Sequence, residues 1–357
     1  MPTCAVALVT QRNILVCQND DPEKQIVIAH LASVLYPAMI VFTALISLAE
    51  DCRAEEAFGY RVKTDVAYGK GRIRRDGKLV ERDLLLDVYT PTGKPYSEPR
   101  PAVILVHGGG FQRGGLRQPA YKEQGAVHSR MEDYARLLTP LGFNCFVIDY
   151  RLAPEYPEPT TPLDADWLLP IDEDLTEAGM RRVNYARSAL QLGPLEGDEG
   201  KLVVWKTILS AAEDLEKAVK FVQSEAGKYN TDPDKIALGG HSAGAATVIN
   251  ATFGLKVPVN AIFPLSPPVS AIDVRKTINS KDGTPTLLVV SQNDEPAVME
   301  KVPVITNAMR EADAKFELVW VPGFPHFYPH GSVSLSDDGT RMSVGDRITK
   351  FLRENLN

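Results

Sequence analysis

The sequence predicts an α/β fold, a mostly parallel central sheet with helices on both faces and one helical cap insertion. Short unbroken apolar runs recur, such as residues 102–106 (AVILV) and 286–290 (TLLVV), the pattern of strands buried on both faces. Stretches with helical spacing separate them, which gives the alternation of a parallel sheet. Glycine- and histidine-bearing loops then fall just after the runs, at the carboxyl edge where sites on such sheets are built.

With 357 residues, 44% hydrophobic and 24% charged, the chain has enough apolar mass for one large domain. A net charge of −7 and the absence of any basic cluster or phosphate-cradling motif argue against nucleic acid or an anionic membrane as partner. Four cysteines, Cys4, Cys17, Cys52 and Cys145, are too few for a disulfide framework at this length. With no CxxC, HExxH or clustered His/Cys spacing, no metal is called for.

In chain order, residues 1–56 form an N-terminal segment whose apolar stretch 26–49 is long enough to span a bilayer. It ends in Ser47-Leu48-Ala49, small residues at the spacing of an export-signal cleavage site, so a secreted or periplasmic chain starting near Glu50 is the expectation. A retained anchor and a helix docked on a cytoplasmic domain are the alternatives. The main domain is placed at 57–357. Residues 60–68 and 79–89 read as strands joined at the Asp76-Gly77 turn. The run 102–106 leads into His107-Gly108-Gly109-Gly110, whose amides can face an oxyanion; a phosphate loop would need a following Lys and Ser or Thr, which are missing. Residues 125–141 have the spacing of an amphipathic helix, followed by a strand at 143–148.

From 156 to 206 the chain turns Pro-rich and then acidic, and this segment is assigned as a cap inserted before a helix at 208–229. Trp167, Leu168, Leu169 and Tyr185 either line a pocket there or hold the cap to the body. After it, residues 235–254 read as strand, sharp turn and helix, with Ser242 at the apex of Gly240-His241-Ser242-Ala243-Gly244. A Cβ two residues either side of Ser242 would collide with strand and helix, and the turn leaves the hydroxyl exposed at a helix N-terminus. Further strands are expected at 259–265, 286–290 and 316–321, and helices at 298–314 and 344–357.

A serine hydroxyl needs a base, itself oriented by a third group. Of the six histidines, His326 lies in a Gly/Pro-bounded loop just past a strand, and His330 stands four residues further on. Asp294 directly follows the run 286–290; Glu295 beside it points the other way, and Asp273 and Asp282 follow no comparable strand. An N-cap of the next helix is the plainer role for Asp294.

With these residues placed, the chain resembles the α/β-hydrolase fold, and within it the hormone-sensitive-lipase-like carboxylesterases. The resemblance rests on His107-Gly108-Gly109-Gly110, on Asp149-Tyr150-Arg151-Leu152-Ala153-Pro154-Glu155, on the elbow around Ser242, and on the order Ser242, Asp294, His326. It implies Ser242 as nucleophile, His326 as general base and acid, Asp294 as its orienting group, an oxyanion hole at the amides of Gly109, Gly110 and Ala243, and His107 in a structural role. It also implies a small-molecule ester substrate, no metal or organic cofactor, and an acyl-enzyme. His241 stands where the family most often has an acid, and Ala245 where it has glycine. The long insertion looks more like the cap of feruloyl-esterase-like or arylformamidase-like relatives, so amide or lactone cleavage is the enzymatic alternative. A non-catalytic ligand-binding protein on the same scaffold is the other.

Overall fold

The computed structural model describes residues 59–93, 98–123, 125–279 and 283–356. The N-terminal segment with its signal, anchor and docked-helix alternatives lies outside the described residues, as do Asp282 and every cysteine except Cys145. Among the described residues no helix is long and apolar enough to cross a membrane.

The described chain opens on a hairpin of β1 (Gly59–Arg75) and β2 (Lys78–Thr92). It reverses at Asp76 and Gly77, whose φ values of 52° and 73° give the primed turn that matches strand twist. The strands β3 (Arg100–Val106), β6 (Asn144–Ile148), β7 (Thr231–His241), β8 (Ala261–Leu265), β9 (Thr286–Ser291) and β10 (Phe316–Val321) follow, with the two-stranded ribbon β4 (Lys122–Glu123) and β5 (Ala126–Val127) between β3 and β6. The antiparallel strands β11 (Val333–Ser336) and β12 (Arg341–Ser343) complete a ten-stranded sheet of order β1-β2-β6-β3-β7-β8-β9-β10-β11-β12. Every pair from β6 to β10 is parallel, and β2 runs antiparallel to β6.

Period-two alternation divides each central strand between two cores. On β3, Ile104 and Val106 face the core that contains Val204, Trp205, Ile208, Leu215 and Val219 of the long helix Gly197–Ser224. Val103 and Leu105 face the other core, with Met131, Tyr134 and Leu138 of the helix Met131–Leu138 and Ile348 and Leu352 of the helix Val344–Leu356. Cys145 is part of this second core, a free thiol that burial pushes up to about 12.

The segment from Asp149 to Glu155 ties these layers together. Asp149 accepts from the Leu85 amide on β2 at 2.7 Å and from Arg82 at 3.0 Å. Tyr150 donates its hydroxyl to the His107 carbonyl at the end of β3 (3.0 Å). Arg151, almost fully buried, donates to both oxygens of Asp214 on the long helix and to Glu213. Glu213 in turn accepts from the amides and hydroxyls of Thr160 and Thr161, where the inserted segment starts. Deleting one member of so buried an ion group would leave an uncompensated charge, at a cost of about 3–5 kcal/mol.

Three helix expectations need correction. The long helix starts at Gly197 rather than 208, so the last ten residues assigned to the cap belong to the body. Glycines in its first turn hid that start; Gly200 is required there, because a Cβ would come within 2.6 Å of the Leu195 backbone, and Asp198 and Glu199 favour the amino end. The amphipathic segment 125–141 is helical only over Met131–Leu138, with a 3-10 turn at Thr139–Leu141. Gly125 adopts φ 81° beside the β4–β5 ribbon, and the Asp133 carboxylate accepts the Arg130 amide at 2.8 Å, which sets the helix start. The span expected at 298–314 is divided into Pro296–Met299 and Val302–Glu311, because Pro303 lacks the amide a continuous helix would use. Within the cap, Leu168 bridges Ile272, Leu169 donates to the Ala271 carbonyl and Trp167 packs on Gly254, so these residues hold the cap to the body. Tyr185 is exposed.

A Cβ on Gly244 would lie 2.1 Å from the carbonyl oxygen of Val106, whereas one on Gly227 would meet nothing within 4 Å. Gly244→Ala should therefore destabilise by about 3 kcal/mol or more, and Gly227→Ala should be neutral or stabilise by up to about 1 kcal/mol. Urea unfolding of both variants checks the contrast.

Candidate active site

β7 ends at His241, and the chain turns sharply into the helix Ala243–Ile249. Ser242 at the corner has φ 55° and ψ −120°, a strained conformation for a residue with a Cβ. The turn is possible because the residues around it lack side chains. A Cβ on Gly240 would fall 2.5 Å from the Gly244 carbonyl oxygen, and one on Gly108 would fall 2.8 Å from that of His241.

His326 and Asp294 reach the same point from the ends of β10 and β9. The Ser242 hydroxyl lies 2.8 Å from His326 Nε2, and His326 Nδ1 lies 2.6 Å from Asp294 Oδ1. Burial opposes the charge on Asp294, but the His326 hydrogen bond and charge and the Ser266 hydroxyl hold its carboxyl down to about 2. An ionised carboxylate only accepts, so Nδ1 carries the imidazole proton and Nε2 offers its lone pair to the serine. The acid is held in turn: its Oδ2 accepts from the hydroxyls of Ser266, at the end of β8, and Ser291 (2.9 Å), and its Oδ1 from the Glu295 amide (2.8 Å).

The other candidates have partners of their own. Glu295 points away and pairs with Arg182, while its backbone rather than that of Asp294 caps the helix Pro296–Met299. Asp273 caps the short helix Val274–Thr277 and binds Arg275. His330 uses its amide on Ser129 and packs edge-on to Tyr134. Gly109, Gly110 and Ala243 line one cavity of about 150 Å³ with Ser242 and His326. Ala243 is the first residue of its helix, where amides have no partner inside the helix. His107 stacks on Tyr150 (ring centroids 4.4 Å apart), its Nδ1–H donating to the Gly108 carbonyl, and burial pushes it down to about 4.

The β-strand order, with β2 reversed, the serine elbow after β7, and acid and histidine on the loops after β9 and β10 are the layout of one fold. This is the α/β-hydrolase fold. Residues 202–258, from the long helix through the elbow, match the family model described as BD-FAE, an esterase-type α/β-hydrolase family. Similar solved structures are the apo form of Thermogutta terrifontis esterase 2 (17% identity over 77% of this chain and 87% of that one, TM-score 0.45) and a truncated carbohydrate esterase from gut microbiota (16%, 85% and 98%, 0.48). An arylesterase is similar at 15% identity over 90% and 94% of the two chains, with TM-score 0.47. No curated protein matches the sequence.

Sequence reasoning missed the shell that this hydrolase fold builds around the three residues. Ser266 lies in Leu265-Ser266-Pro267-Pro268, just past a buried strand, and that placement was the available signal. His128 and His241 were also missed as a group. Their rings and that of His326 form a row with centroid separations of 5.6 and 5.0 Å. His241 Nε2–H donates to the His326 carbonyl at 3.0 Å, and His128 Nδ1 accepts the Tyr121 amide at 2.9 Å.

Two predictions arise from this geometry. Glycine carries no penalty at φ 55°, so Ser242→Gly should be more stable than Ser242→Ala by about 1 kcal/mol in urea unfolding. Burial pushes His128 down to about 4, and burial beside two imidazoles puts His241 well below the ordinary range. A histidine depressed in the folded state adds stability above its unfolded pKa, and that stability is lost as pH falls from about 6.5 toward 4. The midpoint of thermal unfolding should drop across this window, and His128→Asn, which keeps an acceptor for the Tyr121 amide, should flatten the slope. An equal slope in the variant would rule the attribution out.

Proposed function

We propose that the protein is a serine carboxylic-ester hydrolase that works through an acyl-enzyme. The observation that carries this reading is the hydrogen-bonded series Ser242, His326, Asp294 at the wall of a mostly apolar cavity that the glycine loop also lines. Ser242 Oγ attacks the ester carbonyl carbon while His326 Nε2 takes its proton. The negative charge that develops on the carbonyl oxygen faces the amides of Gly109, Gly110 and Ala243, each donor contributing roughly 3 kcal/mol. His326 then protonates the leaving alcohol. A water deprotonated by the same nitrogen attacks the acyl-serine, and collapse returns the proton to Ser242. Asp294 stays ionised throughout, stabilising the imidazolium and keeping the tautomer.

The cavity limits the substrate. Its inner space of about 150 Å³ is of the size that holds a benzene molecule, which favours esters with one compact side. The chain should hydrolyse 4-nitrophenyl acetate and butyrate, with kcat/KM for the decanoate lower by at least about tenfold. Ser242→Ala should abolish turnover and labelling by a fluorophosphonate probe, and Asp294→Asn should cut kcat by roughly 10⁴-fold through the wrong tautomer. Turnover surviving in Ser242→Ala would refute the nucleophile.

A further inference from the structure

Five charged side chains line the cavity beside Ser242: Arg113, Asp174, Arg182, Glu295 and Lys301. Four of them are matched. Arg182 Nε donates to Glu295 at 3.0 Å, and Lys301 Nζ lies 3.6 Å from Asp174 Oδ1. Asp174 Oδ2 takes the Ser270 hydroxyl and the Ala271 amide as well. Arg113 is left over. Among the described residues no carboxylate pairs with it, its Nε is buried without a hydrogen-bond partner, and its guanidinium carbon sits 4.4 Å over the Tyr121 ring.

The backbone that carries this cation is held close to the glycine loop. The Arg113 amide donates to the Gly109 carbonyl at 3.3 Å, and the two backbones are so close that a Cβ on Gly109 would lie 2.0 Å from the Arg113 carbonyl oxygen. An aromatic face offsets only part of a guanidinium's desolvation, whereas its planar fork fits a carboxylate with two parallel hydrogen bonds. Much of the remaining wall, with Phe111, Leu175, Val183, Val269 and Val298, is apolar.

Building on the ester-hydrolase reading, we propose that Arg113 is a specificity residue and that the preferred substrates are esters with a compact apolar body and a free carboxylate, which this guanidinium binds. The carboxylate can belong to the acyl or to the alcohol half, and matched substrate pairs separate the two. For the acyl half, kcat/KM is measured for 4-nitrophenyl hydrogen glutarate and its neutral twin 4-nitrophenyl valerate. For the alcohol half, the butyrate ester of 3-hydroxybenzoate is compared with that of 3-hydroxybenzamide.

In the wild type the anionic member of at least one pair should be favoured roughly ten- to a hundredfold, the range of a hydrogen bond to a charged group. That ratio should fall to about 1 or below in Arg113→Met and partly recover in Arg113→Lys. It is read within one enzyme preparation, so partial misfolding of a variant cancels. As a measurement that needs no variant, the wild-type ratio should shrink on raising NaCl from 0.05 to 0.5 M. Ratios at or below 1 in both wild-type pairs, or a ratio unmoved in Arg113→Met, would overturn the proposal. Turnover of the four esters as a set reports on Ser242 independently; if the chain hydrolyses none of them, the enzymatic reading fails and this proposal with it.

Discussion

The whole site depends on backbone pressed against backbone where the carboxyl ends of β3 and β7 meet. The contacts of Gly108, Gly240 and Gly244 are all shorter than a side chain would allow, and they force the corner at Ser242 into φ 55°. Such strain of about 1–3 kcal/mol persists only where the surroundings over-determine it. Here the surroundings are the parallel centre of the sheet, buried on both faces, with the long helix Gly197–Ser224 on one side. The hydroxyl direction is thus set by the stability of the entire domain rather than by local preference.

A second layer fixes the acid. Asp294 reaches His326 with one oxygen, and its other oxygen is taken by hydroxyls from the ends of two strands, β8 and β9. A buried carboxylate with this many donors stays charged and has little freedom to rotate. The Asp149–Glu155 segment acts similarly at the other end of the site, since Tyr150 fixes the His107 carbonyl while Arg151 clamps the helix behind it. These supports cost buried polar groups, and their return is a site whose geometry is ready before any substrate arrives.

Much of this was legible in the sequence, for a physical reason. Strands buried on both faces must be continuous apolar runs, and loops at their carboxyl ends can be read directly from where the runs stop; Ser242, Asp294 and His326 follow from that rule. The reading was weaker where side chains or backbone answer to distant partners. The helix start at Gly197 was hidden because Gly200 in its first turn serves a contact with Leu195, and 125–130 has a helical period but is spent on a ribbon and on His128. The short strands β11 and β12 have too few residues to carry a period. Ser266 and Arg113 are ordinary residues in one dimension, and their positions beside Asp294 and Ser242 arise only through the fold.

The row of imidazoles has a mechanical consequence. His241, one residue before Ser242, donates to the carbonyl of His326, so the elbow and the loop bearing His326 are bolted together at a point separate from the Ser242–His326 hydrogen bond. That bond ties the two loops together without involving the Ser242 hydroxyl or the His326 ring nitrogens. Part of the cavity wall comes instead from the inserted segment, whose helix Glu177–Ser188 contributes Gly179, Arg182, Val183 and Ala186. Different pieces of chain therefore set the Ser242–His326 geometry and much of the cavity's shape, so substitutions on the helix Glu177–Ser188 can reshape the wall while leaving the elbow's own contacts in place.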